Sequence, residues 1–226
     1  MMSKIINNNN FFLKINDIFY SIQGESSFAG YPCFFMRLAG CNIKCSYCDT
    51  KEALTDKNAK LIHIGDIINE IIKYGENIKL VEITGGEPLI QGGVYELMNR
   101  LLNLKYTVLL ETNGTLSLKN VPDKVVKIMD IKCPSSGFED CNNYENLNFI
   151  NKNDELKFII GNTADYKFAK NFINVNRKII KTEKIIFSAV DVAENKFSSH
   201  ILAEKILSDR LNVKIGLQLH KFLDLK

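Results

Sequence analysis

Only four prolines interrupt the 226 residues, and no Ser/Gly-rich linker accompanies them, so nothing marks a boundary between domains. The chain is therefore expected to form a single domain over 1–226, with the Asn run at 7–10 inside a flexible end at 1–10. No apolar run reaches the length of a membrane-spanning helix, and the opening MMSKIINNNN has a lysine but no apolar region behind it. The expected location is the cytoplasm. Dense basic runs are missing too: a net charge of +3, from lysines scattered beside Ile and Asn, gives no footprint for nucleic acid. A small-molecule substrate is the better expectation. Nor is there a second CxxC or an HxxxH pair, since His63, His200 and His220 stand alone.

What is present is a concentration of thiols. Three of the six cysteines, Cys41, Cys45 and Cys48, fall within eight residues, while Cys33, Cys133 and Cys141 stand apart. A reducing compartment does not sustain a disulfide framework, and such clustering points to metal. Spaced C-x3-C-x2-C, three thiolates can ligate three corners of a cubic iron–sulfur cluster and leave the fourth iron open. The competing reading is a zinc site, with Cys41, the Cys45/Cys48 pair and a fourth ligand elsewhere.

Around this loop the sequence alternates between strand and helix patterns. Strands are predicted at 34–39, 80–84, 106–111, 125–131, 155–160, 183–190 and 213–220. Isoleucines 64, 67, 68, 71 and 72 at helical spacing predict a helix over 64–73. Others follow from Val94, Leu97, Leu101 and Leu104, and over 164–175 and 197–210. The alternation implies right-handed βαβ crossovers, a parallel sheet and helices on its outer face, with the chemistry at the carboxyl ends of the strands.

Thr84-Gly85-Gly86-Glu87-Pro88 ends one such strand, Glu111-Thr112-Asn113-Gly114-Thr115 the next, and Asp130 through Gly137 the one after. Glycine pairs let backbone approach a ligand closely, although each segment taken singly reads equally as an ordinary turn. Together with the cysteine loop they resemble the radical SAM (S-adenosylmethionine) superfamily. The resemblance implies a partial, TIM-like βα barrel that carries a 4Fe–4S cluster on Cys41, Cys45 and Cys48, with SAM on its open iron.

By that resemblance Tyr47 packs near the adenine and Gly85 and Gly86 bind the SAM amino group. Lys132, Cys133, Pro134 and Ser135 contact its ribose and carboxylate, with Cys133 a packing residue rather than a fourth ligand. Ser188 through Asp191 lines the adenine.

Flanking sequence narrows the resemblance. Phe19-Tyr20-Ser21-Ile22-Gln23-Gly24-Glu25, then Phe35 through Asn42, Cys48-Asp49-Thr50 and Gln218-Leu219-His220-Lys221 are similar to the 7-carboxy-7-deazaguanine synthase family. The implied reaction takes 6-carboxy-5,6,7,8-tetrahydropterin to 7-carboxy-7-deazaguanine, on the route to queuosine. A 5′-deoxyadenosyl radical removes hydrogen from C6, the ring contracts, ammonia leaves and SAM is regenerated.

Ile22, Gln23 and Gly24 are expected on the pterin edge, Arg37 on its carboxylate, and Thr84 on the substrate. Asp49 and His220 are expected in proton handling or substrate binding, with Glu111 facing the cavity and the Lys226 carboxylate closing over the ligand. Thr50 resembles a ligand of Mg²⁺. A reductant such as flavodoxin or ferredoxin, and a homodimer, are implied as well. The compact x3 gap departs from several relatives and bears on loop shape. A glycyl-radical activating enzyme shares the cysteine spacing but is expected to lack the S-I-Q-G-E arm; a zinc- or cluster-bearing interaction module is the non-enzymatic rival.

Overall fold

A computed structural model describes residues 11–74, 77–190 and 197–226. The Asn run and Asp191 lie outside these residues. Among those described, nine strands form one sheet in the order β3-β1-β2-β4-β5-β6-β7-β8-β9. From β2 (Pro32–Leu38) through β4 (Leu80–Gly85), β5 (Thr107–Thr112), β6 (Val126–Asp130), β7 (Glu155–Ile160) and β8 (Ile185–Ala189) to β9 (Lys214–Gly216), every pairing is parallel. The sheet does not close on itself, so the fold is a partial βα barrel.

Two strands were not expected. β1 (Phe12–Ile22) runs antiparallel to β2 and to β3 (Lys60–His63), and the register shifts between Ile15 and Asp17. That irregularity breaks the apolar alternation by which a strand is recognised. The last strand is also shorter than 213–220: after Gly216 the chain leaves the sheet edge and forms a helical turn, α5 (Leu219–Phe222), which carries His220.

The helices form where the apolar periodicity puts them. α1 (Ile64–Lys73) buries Ile64, Ile67, Ile68 and Ile71, and His63 caps it by accepting from the Gly65 N–H at 3.1 Å. α2 (Val94–Asn103) buries Val94, Leu97, Met98 and Leu101. α3 (Thr163–Asn176) starts at Asn162, whose side chain accepts from the N–H groups of Ala164 at 2.8 Å and Asp165 at 3.0 Å. α4 (Ser199–Ser208) is capped by Ser198.

Because side chains alternate across a strand, the sheet has two different faces. The outer face, with Phe34, Met36, Val81, Ile83, Leu110 and Phe158, belongs to the main apolar core. On the inner face, Cys33, Phe35, Leu80, Leu109 and Ile128 make a small second core near the amino ends of the strands, where Phe19 stacks on Phe35 at 4.9 Å. Further along the same face the residues turn polar: Arg37, Glu82, Thr84, Glu111, Asp130, Lys157 and Ser188. Apolar packing closes one end of the barrel and leaves the other for chemistry.

One charged pair breaks the pattern of the outer face. Lys127, 1% exposed, meets Asp154, 0% exposed, at 3.1 Å, and the same carboxylate accepts the Lys127 N–H at 2.9 Å and the Asn151 N–H at 2.7 Å.

Candidate active site

A cleft of about 640 Å³ opens at the carboxyl ends of the strands. The chain leaves β2 at Leu38 and turns at once into the cysteine loop, so Cys41, Cys45 and Cys48 all line the cleft. Backbone bonds fix the loop from one side: the Gly40 N–H donates to Ala53 at 2.8 Å and the Cys41 N–H to Leu54 at 3.2 Å. Ser46 ties it to the next wall, its hydroxyl donating to the Ser135 carbonyl at 2.6 Å and its N–H to Ser136 at 3.2 Å.

The glycine pair is demanded by this packing. A Cβ on Gly85, at φ +143°, would lie 2.1 Å from the Leu38 carbonyl oxygen, and one on Gly86 would lie 2.2 Å from that of Gly40. Glu87 behind them is fully buried and accepts from the N–H groups of Leu89 at 3.1 Å and Asn113 at 2.7 Å and from the Thr112 hydroxyl at 3.0 Å. Burial pushes its carboxyl up to about 7, against the three donors that favour its charge. The Asn113 amide in turn donates to Asn42 at 3.0 Å and toward the Cys41 sulfur at 3.7 Å. A single carboxyl thus locks three loops together.

Several features fit a bound cluster and SAM. The three thiols come from one loop and share one cavity, and the glycine backbone is pressed against that loop where nothing larger fits. All three are free thiols, and thiolate sulfur is a soft donor suited to iron. Among the described residues, the Tyr47 hydroxyl is the one buried side-chain oxygen or nitrogen without a hydrogen-bond partner, and it lies on the cleft wall. No group of three or more His, Cys, Asp or Glu side chains among the described residues is drawn together around a single ion. A cubic cluster spreads its thiolates over separate corners.

The floor of the cleft is ionic. Lys157 on β7 pairs with Glu25 in the loop after β1 and, at 3.4 Å, with Glu111 on β5. Thr84 donates to the other Glu111 oxygen at 2.9 Å, and Gln218 donates to Glu25 at 2.8 Å. Burial opposes the charge on Lys157, but Glu25 and Glu111 hold its ammonium well above the usual range. Burial likewise works against the Glu25 carboxylate, and Lys157 brings it back below its ordinary value. Nearby, Lys132 pairs with Asp130 at 2.6 Å.

At the rim, Arg37 donates to the Thr50 hydroxyl at 3.3 Å, and Thr50 to Asp49 at 3.1 Å. His220 is lowered by burial, and the Leu219 N–H beside it donates to the Gly24 carbonyl at 2.9 Å.

Of the residues singled out from the sequence, Arg37, Tyr47, Asp49, Thr50, Thr84, Gly85, Gly86, Glu111, Lys132, Ser188, His220 and the three cysteines line this cleft. Ile22, Gln23 and Gly24 do not. Gln23, 3% exposed, spends its amide on Glu82 and accepts the Glu25 N–H at 2.9 Å, while Gly24 lies against the His220 ring. Cys133 is buried in the outer core, which keeps its sulfur off the cleft. Pro134 and Ser135 sit behind the wall, Ser135 held at its N–H by Asp165 at 2.9 Å. The Lys226 ammonium pairs with Asp17 over the Phe19 ring, outside the lining.

Sequence reasoning missed Glu25, Lys157 and Gln218 as cleft residues. Lys157 had a signal: a lysine two residues from Glu155 and two from Ile159, inside an apolar strand.

The sequence pattern of the radical SAM superfamily matches residues 37–187. A protein from Koribacter versatilis described as 7-carboxy-7-deazaguanine synthase is 41% identical over 221 residues, covering 93% of this chain and 96% of that protein. The chain belongs to the radical SAM superfamily and, within it, to the 7-carboxy-7-deazaguanine synthase family. A second such synthase, from Chlorobaculum tepidum, is 42% identical over 93% of this chain and 94% of its own length. Membership brings a 4Fe–4S cluster and SAM as the cofactors of the family's cleft.

Structures agree at the level of fold. QueE from Escherichia coli superposes with a TM-score of 0.75 at 21% identity, covering 97% of this chain and all of that one. Streptococcus suis SuiB, solved with S-adenosylmethionine bound, gives 0.55 at 14% identity over 77% of this chain and 44% of that one.

Proposed function

We propose that this chain converts 6-carboxy-5,6,7,8-tetrahydropterin to 7-carboxy-7-deazaguanine with loss of ammonia. The observation that carries the proposal is the meeting of the cysteine loop and a charged, recognition-grade floor in one cleft. A cluster on Cys41, Cys45 and Cys48 supplies, when bound, the electron that cleaves SAM to the 5′-deoxyadenosyl radical that takes hydrogen from C6. Everything else is the work of side chains: to bind a flat polar heterocycle, orient it and keep water from a reactive carbon centre.

Glu25 and Glu111 offer carboxylate oxygens to the N–H edge of such a ring, which otherwise would be buried without partners. Arg37 suits the substrate carboxylate, since its planar fork matches two oxygens. Thr50 lies within hydrogen-bond reach of Arg37. A Mg²⁺ ion held by Thr50, water and substrate oxygens would bring the carboxylate to that same rim. Asp49, toward which Gln218 donates at 3.4 Å, and His220 both line the cleft and are the groups assigned to proton handling as ammonia departs. Reduction by a flavodoxin or ferredoxin and assembly as a homodimer follow from the family resemblance.

The test is anaerobic turnover with SAM, reductant and Mg²⁺. Formation of the deazaguanine acid with SAM regenerated is the expected result. Release of 5′-deoxyadenosine with the pterin untouched would remove the substrate assignment and leave the radical SAM chemistry standing.

A further inference from the structure

At the cleft floor two carboxyl groups pair with one ammonium, and a third lies behind them. Lys157 pairs with Glu25 and Glu111, and its side chain is 11% exposed. Glu82, 3% exposed, lies behind them on β4, accepts from the Gln23 amide, and forms no ion pair among the described residues. Two further groups steer the paired carboxylates: Gln218 donates to one Glu25 oxygen, and Thr84 to one Glu111 oxygen. Glu82 is raised by burial and by the charges of Glu111 and Glu25, and Glu111 is raised by burial against the opposing charge of Lys157, so the carboxyl without an ion-pair partner among the described residues is the one placed to hold a proton.

We propose that Lys157 is a positioning residue of the substrate site: within the cleft floor it holds Glu25 and Glu111 as two fixed carboxylate acceptors for the ligand. The inference rests on the pterin reading for the identity of the ligand. A carboxylate pair accepts two ring N–H groups; if either takes a proton, that oxygen becomes a donor facing a donor, and binding fails. Other charged groups turned toward this floor are Arg37 from β2, Asp130 and Lys132 from the end of β6, Asp49 from the cysteine loop, and His220 and Lys221 from α5. Asp130 and Lys132 pair with each other, and Arg37 reaches Thr50 at the rim, so Lys157 is the cation in direct contact with both Glu25 and Glu111.

The test uses the reconstituted enzyme and its Lys157→Met and Lys157→Arg variants. In Lys157→Met the KM for the carboxytetrahydropterin rises about tenfold near neutral pH and falls back as pH increases and the carboxyls ionise, with kcat little changed. Lys157→Arg restores a low KM independent of pH. Infrared spectra report the same event without substrate: Lys157→Met gains a further protonated-carboxyl band at neutral pH, beyond those of Glu82 and Glu87 that the wild type and Lys157→Arg already show.

If Lys157→Met does not fold, Lys157→Gln carries the same two measurements. Identical KM profiles or an unchanged infrared spectrum overturns the proposal. A wild type that ignores the pterin sinks the functional reading instead, while the infrared result still judges Lys157.

Discussion

Adjacent strands of the sheet each bury a lysine, and the two could hardly be used more differently. Lys127 on β6 points to the outer face, is 1% exposed, and meets one carboxylate, Asp154, whose remaining capacity is spent on backbone N–H groups. Its charge is cancelled and its geometry closed. Lys157 on β7 points inward and faces Glu25 and Glu111, with a third carboxyl, Glu82, behind. There acid outnumbers base and open space lies above. A balanced buried pair serves the fold, whereas an unbalanced one at the floor of a cleft waits for a ligand to complete it.

The sharpest way to break this comparison is to remove each cation in turn. Lys127→Met leaves Asp154 charged and buried without its partner, and should cost about 3–5 kcal/mol. Thermal unfolding would record that as a drop on the order of 10 °C, with KM unaltered. Lys157→Met should do the reverse, since its carboxyls can take up protons: a modest loss of stability and a weakened KM. Equal melting losses in both variants would erase the distinction.

Glu87 stands between these cases, a buried carboxyl with donors but no cation. Its folded-state value of about 7 lies above the ordinary 4.5, so the native state holds the proton more tightly than the unfolded chain. Stability from this group is therefore present at low pH and lost as pH climbs from 4.5 through about 7. Glu87→Gln removes that dependence. Denaturant titrations from about pH 5 to 8 should show the variant gaining on the wild type by about 3 kcal/mol. A constant difference across the range would show that the carboxyl is already ionised at acid pH.

Replacing the outer pair together, Lys127→Met with Asp154→Leu, should cost less than Lys127→Met alone, on the order of 2 kcal/mol, because only backbone N–H groups lose their acceptor. A double variant as unstable as the single one would mean that the backbone bonds, rather than the ion pair, dominate. The smallest effect is expected on the surface. Arg100 and Glu96, paired at 2.7 Å on α2 and more than a third exposed, should give under about 1 kcal/mol in a double-mutant cycle.

Much of the scaffold was legible beforehand. β7 and α1 begin and end where their patterns do, because apolar periodicity over a long enough run outweighs other signals. β1 was hidden by its irregular register near Asp17, and β3 by its length of four residues. The cysteine loop and glycine pair announced themselves because metal and tight backbone contact each restrict residue type severely. Glu25 and Lys157 are 132 residues apart, and only the fold makes them neighbours. Their trace in the sequence was indirect: Glu82, Glu111, Asp130 and Lys157 are charges set into apolar strands, all on the inner face. Gln23 was legible as a polar residue beside the strand, but the sequence did not show that its side chain meets Glu82.

Whether the three thiols leave one iron free to receive SAM is read most directly by electron paramagnetic resonance of the reduced, anaerobically reconstituted protein, with SAM as the only addition. A cluster signal that changes shape and position when SAM is added is the predicted result. A signal indifferent to SAM, or protein that takes up one zinc ion and no iron, would contradict it.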